Sequence, residues 1–110
     1  MESKKVYICG SITNGGTITS KDEIEQKKMA FMQVEAFLVR LGYHVHNPVR
    51  CPEKKSWNEY MRFSVTSLMT CDYIYLVDGW HQSKGASVEL FLGLSLDIPV
   101  LNNEISTKFN

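Results

Sequence analysis

The chain has 110 residues, enough for one domain around one core. Apolar residues make up 44% and charged residues 22%, with 12 acidic and 12 basic side chains. That balance gives no electrostatic footprint for a nucleic-acid polymer and no polybasic patch for a membrane surface, and no apolar run is long enough to span a bilayer.

The three cysteines, Cys9, Cys51 and Cys71, are odd in number and form no CxxC pair. Free thiols in a reducing cytoplasm are expected, and the opening MESKKVYIC lacks the apolar core of a signal peptide. No repeat, linker or low-complexity stretch divides residues 1–110, so a single domain is expected.

Lys4 to Cys9 is rich in β-formers and reads as a first strand, stopped by Gly10. The loop Gly10-Ser11-Ile12-Thr13-Asn14-Gly15-Gly16 follows. Its glycines let backbone approach a ligand, and its amides can form an anion nest. Ser20 and Glu23 make a capping box for a helix reaching about Leu41. Ile24, Phe31, Val34, Leu38 and Leu41 should face a sheet; Lys21, Lys27, Lys28 and Arg40 should face water. Gly42 is the expected stop.

Tyr43 to His46 reads as a second strand, ended by Asn47-Pro48. His44 and His46 share one strand face and Cys51 is near, but no fourth ligand is spaced for a metal, so two ordinary strand-end histidines are the expectation. Ser56 and Glu59 form a second capping box. The helix that they start should reach Thr70 and bury Tyr60, Met61, Val65, Leu68 and Met69. Trp57 in its first turn is read as an apolar plug before it is read as the wall of a site.

Tyr73 to Val77 is a third strand, Asp78 to Gly85 a polar loop, and an apolar helix starts near Ala86. Asp97 to Leu101 reads as a fourth strand, and 102–110 as a loose tail. Strands alternating with helices predict an α/β three-layer sandwich on a parallel sheet of four or five strands, in the order 2-1-3-4. The switch point then lies between strands one and three, where open α/β sheets bind ligands. The glycine loop and the segment Ser83 to Glu89 meet there.

Glu89 sits near a helix N-terminus, so it is expected to stay ionised, with Ser83 and the Gly85 amide free to hold a phosphate. A fixed carboxylate opposite a sugar suits attack on the anomeric carbon. Tyr7 or Trp80 offers a ring for a flat base. The plainer reading of Glu89 is a favourable charge early in a helix, but Val88, Leu90, Phe91 and Leu92 make that helix apolar nearly all round.

Val6-Tyr7-Ile8-Cys9-Gly10-Ser11-Ile12 with Gly15-Gly16 resembles the opening of the 2′-deoxynucleoside 5′-monophosphate N-glycosidases, in the nucleoside 2-deoxyribosyltransferase superfamily. Ser83-x-Gly85-x-x-x-Glu89 has the spacing of that family's catalytic segment. The stretch from Asn47 to Glu89 is similar to a short branch common in bacteriophage and bacterial genomes. The resemblance implies a flavodoxin-like fold, dimers or larger homo-oligomers, and no cofactor. It implies Glu89 as nucleophile and Tyr7 as the group that orients it. Gly10, Ser11, Ile12, Gly15, Gly16, Ser83 and Gly85 would bind sugar or phosphate, with Trp80 against the base. Two positions depart from the family. An aspartate that helps the base to leave is Ser64 here, and a basic residue after Gly-Ser-Ile is Thr13. Asp78 is the candidate substitute acid by loop position, although turn-making is its plainer role.

The reading that follows is an N-glycosidase or deoxyribosyltransferase acting on a deoxynucleoside or its 5′-monophosphate through a glycosyl-enzyme on Glu89. The alternative, favoured by Ser64, is a protein that binds the nucleotide without cleaving it. A partner-binding protein using Trp57, Met61 and Trp80 ranks third, because three segments converge on one switch point.

Overall fold

The computed structural model describes residues 3–11, 20–50 and 56–105. At its centre is a parallel sheet. β1 (Lys5–Cys9) lies between β2 (His44–His46) and β3 (Tyr73–Leu76), so the order is β2-β1-β3. β1 is buried almost throughout, as a central strand covered on both faces must be.

The expected fourth strand is reduced to one parallel bridge between Ile74 and Val100. The Ile74 amide donates to the Pro99 carbonyl at 3.0 Å. Pro99 has no N–H to return, and a 3-10 turn at Leu101–Asn103 ends the extended run. The next ladder positions are filled by a side chain. Asn102 Oδ1 accepts the Leu76 N–H at 2.7 Å, and Asn102 Nδ2 donates to the Leu76 carbonyl at 3.0 Å. Asn102 is thus pinned where a loose tail was expected; 106–110 lie outside the described residues.

α1 (Lys21–Arg40) starts on Ser20, whose Oγ accepts the Glu23 N–H at 3.1 Å. Phe31, Val34 and Leu38 repeat at helical spacing and pack on Val6, Ile8, Tyr75 and Val77. Burial of each such apolar side chain contributes ~1.5–3 kcal/mol. The helix stops at a Schellman turn. Gly42 takes φ 99°, its N–H donates to Val39, and the Tyr43 N–H donates to Leu38. Leu41 was expected on the sheet but is exposed, because the chain leaves the helix at that residue.

α2 (Trp57–Leu68) is capped by Ser56, whose Oγ accepts the Glu59 N–H at 3.1 Å. Its buried positions are Met61, Ser64 and Leu68. Of the expected stripe, Tyr60 and Val65 are half-buried and Met69 is exposed. A hydroxyl in the middle of the inward face shifts the apparent apolar stripe sideways.

α3 (Lys84–Ser95) begins two residues before the expected start, with Ser83 as N-cap. Its buried positions are Ala86, Glu89 and Gly93, and the two small residues let the helix lie close to the sheet. A Cβ on Gly93 would run into Ile74 Cδ1. A second Schellman turn ends α3, with the Asp97 N–H donating to Leu94 and the Ile98 N–H to Gly93. Asp97 holds φ 63°, the left-handed conformation that glycine holds after α1.

Alternation along β1 separates two cores. Val6 and Ile8 face α1, whereas Tyr7 and Cys9 face Leu68, Ile74, Ala86 and Ile98. The layers are therefore α1, sheet, and α2 with α3. Among the described residues, no helix is long and apolar enough to cross a membrane.

Candidate functional site

Three polar side chains meet in the second core. The Tyr7 hydroxyl donates to Glu89 Oε2 at 2.9 Å. Cys9 Sγ lies 3.6 Å from Glu89 Oε1 and 3.4 Å from the Ala86 carbonyl, so one thiol proton serves two acceptors. Tyr7 and Cys9 are fully buried, and Glu89 is 4% exposed. Two strand residues on one face of β1 thus aim at one carboxyl of α3.

Glu89 does not keep its ordinary acidity. Burial raises its pKa from 4.5 to about 7, and the bonds from Tyr7 and Cys9 only partly oppose this. The expectation that the helix N-terminus keeps it ionised is corrected. Glu89 lies more than one turn inside α3, beyond the reach of the terminal dipole, and desolvation wins. Burial first, and the charge on Glu89 second, push both the Tyr7 phenol and the Cys9 thiol far above their usual ranges. Both therefore act as donors, not as nucleophiles.

Ser64 and His46 complete the surroundings of Tyr7. Ser64, 1% exposed, sits at the Tyr7 hydroxyl and eases its proton loss, yet its Oγ has no partner in hydrogen-bond geometry among the described residues. His46 is opposite Tyr7 in the β1–β2 register, and the two rings stack at 5.3 Å with planes 9° apart. His46 Nε2 is buried and equally unpartnered. Burial, then Lys5, lowers the His46 pKa and so favours the neutral imidazole. An unmatched buried polar atom costs ~1–3 kcal/mol. Phe63, beside Ser64 on α2, leans over His46 with ring centres 6.0 Å apart.

The glycine loop divides. Gly10 is required by packing, since a Cβ there would lie 2.9 Å from both Phe31 Cζ and Val77 Cβ. Ser11 is buried, and Lys27 Nζ lies 3.5 Å from its Oγ. Lys27 was expected on the solvated side of α1; it is half-buried instead, and its ammonium reaches Ser11. Ile12, Gly15 and Gly16 lie outside the described residues, as do Thr13 and Cys51.

On the other wall, Ser83 Oγ is engaged as the cap of α3, accepting the Ala86 N–H at 3.1 Å. Gly85 faces α2, where a Cβ would come within 3.1 Å of Met61 Sδ and 3.8 Å of Trp57 Nε1. Trp57 is half exposed, with the Lys84 ammonium 4.9 Å from its ring centre, so it is a rim residue and not the expected plug. Trp80 packs partly on the second core and meets His81 edge-on. Tyr7, fully buried, offers no open face to a base. Asp78 is exposed and acts on Tyr75, which belongs to the α1 side of the sheet. That position gives it no part in the Glu89 cluster. His44 is exposed, and no group of three His, Cys, Asp or Glu among the described residues could hold a metal.

The structure adds Cys9, Phe63 and Lys27 to the neighbourhoods predicted from sequence, and brings in His46, which the sequence offered only as a strand-end histidine, and Ser64, which it offered only through the resemblance. Neither a curated protein nor a solved structure matches the chain. A family profile, described as a domain of unknown function (DUF4406), matches residues 4–102. That is nearly the whole described fold, from the strand that carries Tyr7 to the asparagine that closes β3, and the chain belongs to the DUF4406 family.

Proposed function

We propose that this protein is an N-glycosidase or deoxyribosyltransferase acting on a deoxynucleoside or its 5′-monophosphate, with Glu89 as nucleophile. The observation that carries the reading is the buried Glu89 carboxyl, held by Tyr7 and Cys9 beside the C-terminal end of β1. The three-layer α/β architecture with order β2-β1-β3 is compatible with the flavodoxin-like fold implied by the sequence resemblance. It puts that carboxyl at the switch point.

In this reading one Glu89 oxygen attacks C1′ of the sugar. The C1′–N bond breaks, and the base leaves with the bonding pair and takes up a proton. Water then cleaves the glycosyl ester, or a second base attacks C1′ and is glycosylated. Tyr7 holds the carboxylate in line and steadies its charge. Lys27, drawn to Ser11, supplies a cation where a 5′-phosphate would sit. The N-terminus of α3, capped by Ser83, is a second feature that favours an anion. The exposed Phe91 and Leu94 on α3 support association of the chain with itself.

The test is base release from a panel of deoxynucleoside monophosphates, with Glu89→Ala as control. Release by the wild type that the variant lacks is the expected result. Equal release by both on every substrate would end the enzymatic reading. A second reading, nucleotide binding without cleavage, is favoured by one observation: the residue at the Tyr7 hydroxyl is Ser64, where the N-glycosidases that the sequence resembles carry an aspartate. Calorimetry showing tight binding, with ligand recovered intact, would select it.

A further inference from the structure

Two buried polar atoms beside Tyr7 have no hydrogen-bond partner among the described residues, Ser64 Oγ and His46 Nε2. They come from different elements, the middle of α2 and the end of β2. Buried polar atoms in folded proteins are nearly always bonded, so two orphans flanking one ring ask for a common cause.

The aromatic groups around them point to what that cause is. Tyr7 is fully buried, and one face of His46 is taken by its stack on Tyr7. Phe63 leans over His46 and is 41% exposed, so it is the ring with open surface. Tyr60, one turn before Ser64 on α2, also acts on Tyr7. An aromatic wall with two unsatisfied hydrogen-bonding atoms at its foot suits a flat, uncharged heterocycle whose edge carries both donors and acceptors. A serine hydroxyl can donate and accept, and a neutral imidazole nitrogen can do either, according to tautomer.

We propose that Phe63, His46 and Ser64 form the recognition site for the nucleobase, with Ser64 Oγ and His46 Nε2 bonding its edge and Phe63 covering its face. The inference rests on the reading of Glu89 as the group that faces the sugar, and it adds an orientation. The base lies toward α2 and β2, and the phosphate toward Ser11 and Lys27. Base selectivity then resides beside Tyr7, on α2 and β2. Removing His46 Nε2 or Ser64 Oγ deletes a ligand bond and leaves the Tyr7–Glu89 bond in place.

The experiment is calorimetric titration of the full chain with the four common deoxynucleoside monophosphates and with 2-deoxyribose 5-phosphate, which lacks a base. It uses wild type, Ser64→Ala and His46→Phe, with a melting curve for each. The wild type should prefer at least one nucleotide. Each variant should bind that nucleotide at least ~10-fold more weakly, the scale of one lost hydrogen bond to a ligand, yet bind the sugar phosphate as the wild type does. Each should also melt no lower than the wild type.

Unchanged nucleotide affinity in both variants overturns the base site and leaves the Glu89 reading standing. An equal loss for nucleotide and sugar phosphate overturns it too, since the contacts would then be to sugar. A melting point lowered by several degrees in both variants shows that the atoms serve the fold, again against the proposal. A wild type that binds none of the five probes removes the base site together with the function beneath it.

Discussion

The Tyr7 hydroxyl donates to Glu89 Oε2 across 82 positions of sequence, joining the central strand to the last helix inside a closed core. The phenol is held far from ionisation, so the bond runs from Tyr7 to Glu89 and not the reverse whenever Glu89 is charged. The acidity of Glu89 is set by the contest between this bond and the loss of water.

Stability should carry the mark of that contest. The folded pKa of Glu89, about 7, lies above the 4.5 of an unperturbed carboxyl. Its contribution is therefore fully present below pH 4.5, is lost as pH rises toward 7, and stays lost above. The span corresponds to something on the order of 3 kcal/mol. Glu89→Gln should melt close to the wild type at pH 4 and clearly above it at pH 8. Parallel pH–melting curves for the two proteins would contradict this.

If Glu89 is the nucleophile, the rate of base release should rise with pH up to about 7 and then level off, because only the carboxylate attacks. Tyr7→Phe removes a bond that favours the charged form. The plateau should move to higher pH as well as falling in height. Loss of height without displacement would show that Tyr7 does not tune the carboxyl.

In the glycosidase reading Ser64 stands where an acid would help the base to leave, and it sits at the Tyr7 hydroxyl. Ser64→Asp should raise base release by ~10²-fold or more, the usual scale of a positioned general acid. The introduced carboxyl has no bonding partner ready for it, so the melting temperature should fall at the same time. Faster release with a lower melting point is the expected pair of results.

Gly10→Ala separates packing from ligand contact. A methyl there meets Val77 Cβ, which cannot swing away, as well as the Phe31 ring. Denaturant unfolding should show a loss of ~1–3 kcal/mol, the cost of an overfilled core. A variant as stable as the wild type but deficient in nucleotide binding would return Gly10 to the ligand.

Asp97→Gly should do the opposite. The residue holds φ 63° at the left-handed position of a Schellman turn, where a Cβ is strained. Relief of that strain exceeds the added freedom of the unfolded chain, for a net gain of ~0.5–1 kcal/mol. The midpoint of urea unfolding reports it.

Much of this architecture could be read from residue pattern because it is local. Ser20 and Ser56 cap their helices as their spacing to Glu23 and Glu59 predicts, and Gly42 ends α1 where a left-handed residue is needed. The βαβ alternation puts β1 between β2 and β3, as the first three strands of the expected order require. The parts not legible depend on register and burial. That His46 stacks on Tyr7 follows from which residue of β2 pairs with which of β1. That Glu89 loses acidity follows from how closely α3 lies on the sheet, which Ala86 and Gly93 permit but do not announce. Lys27 looked solvated because helical spacing locates the Cα and not the end of a long stem.

The Asn102 amide has a bearing beyond the fold of a single chain. A sheet margin with idle carbonyls and amides invites foreign strands, and β3 lies at such a margin. One carboxamide occupies both main-chain groups of Leu76, and the Ile74 amide is already taken by Pro99. The protein thereby closes the β3 margin of a short, open sheet without building a full fourth strand.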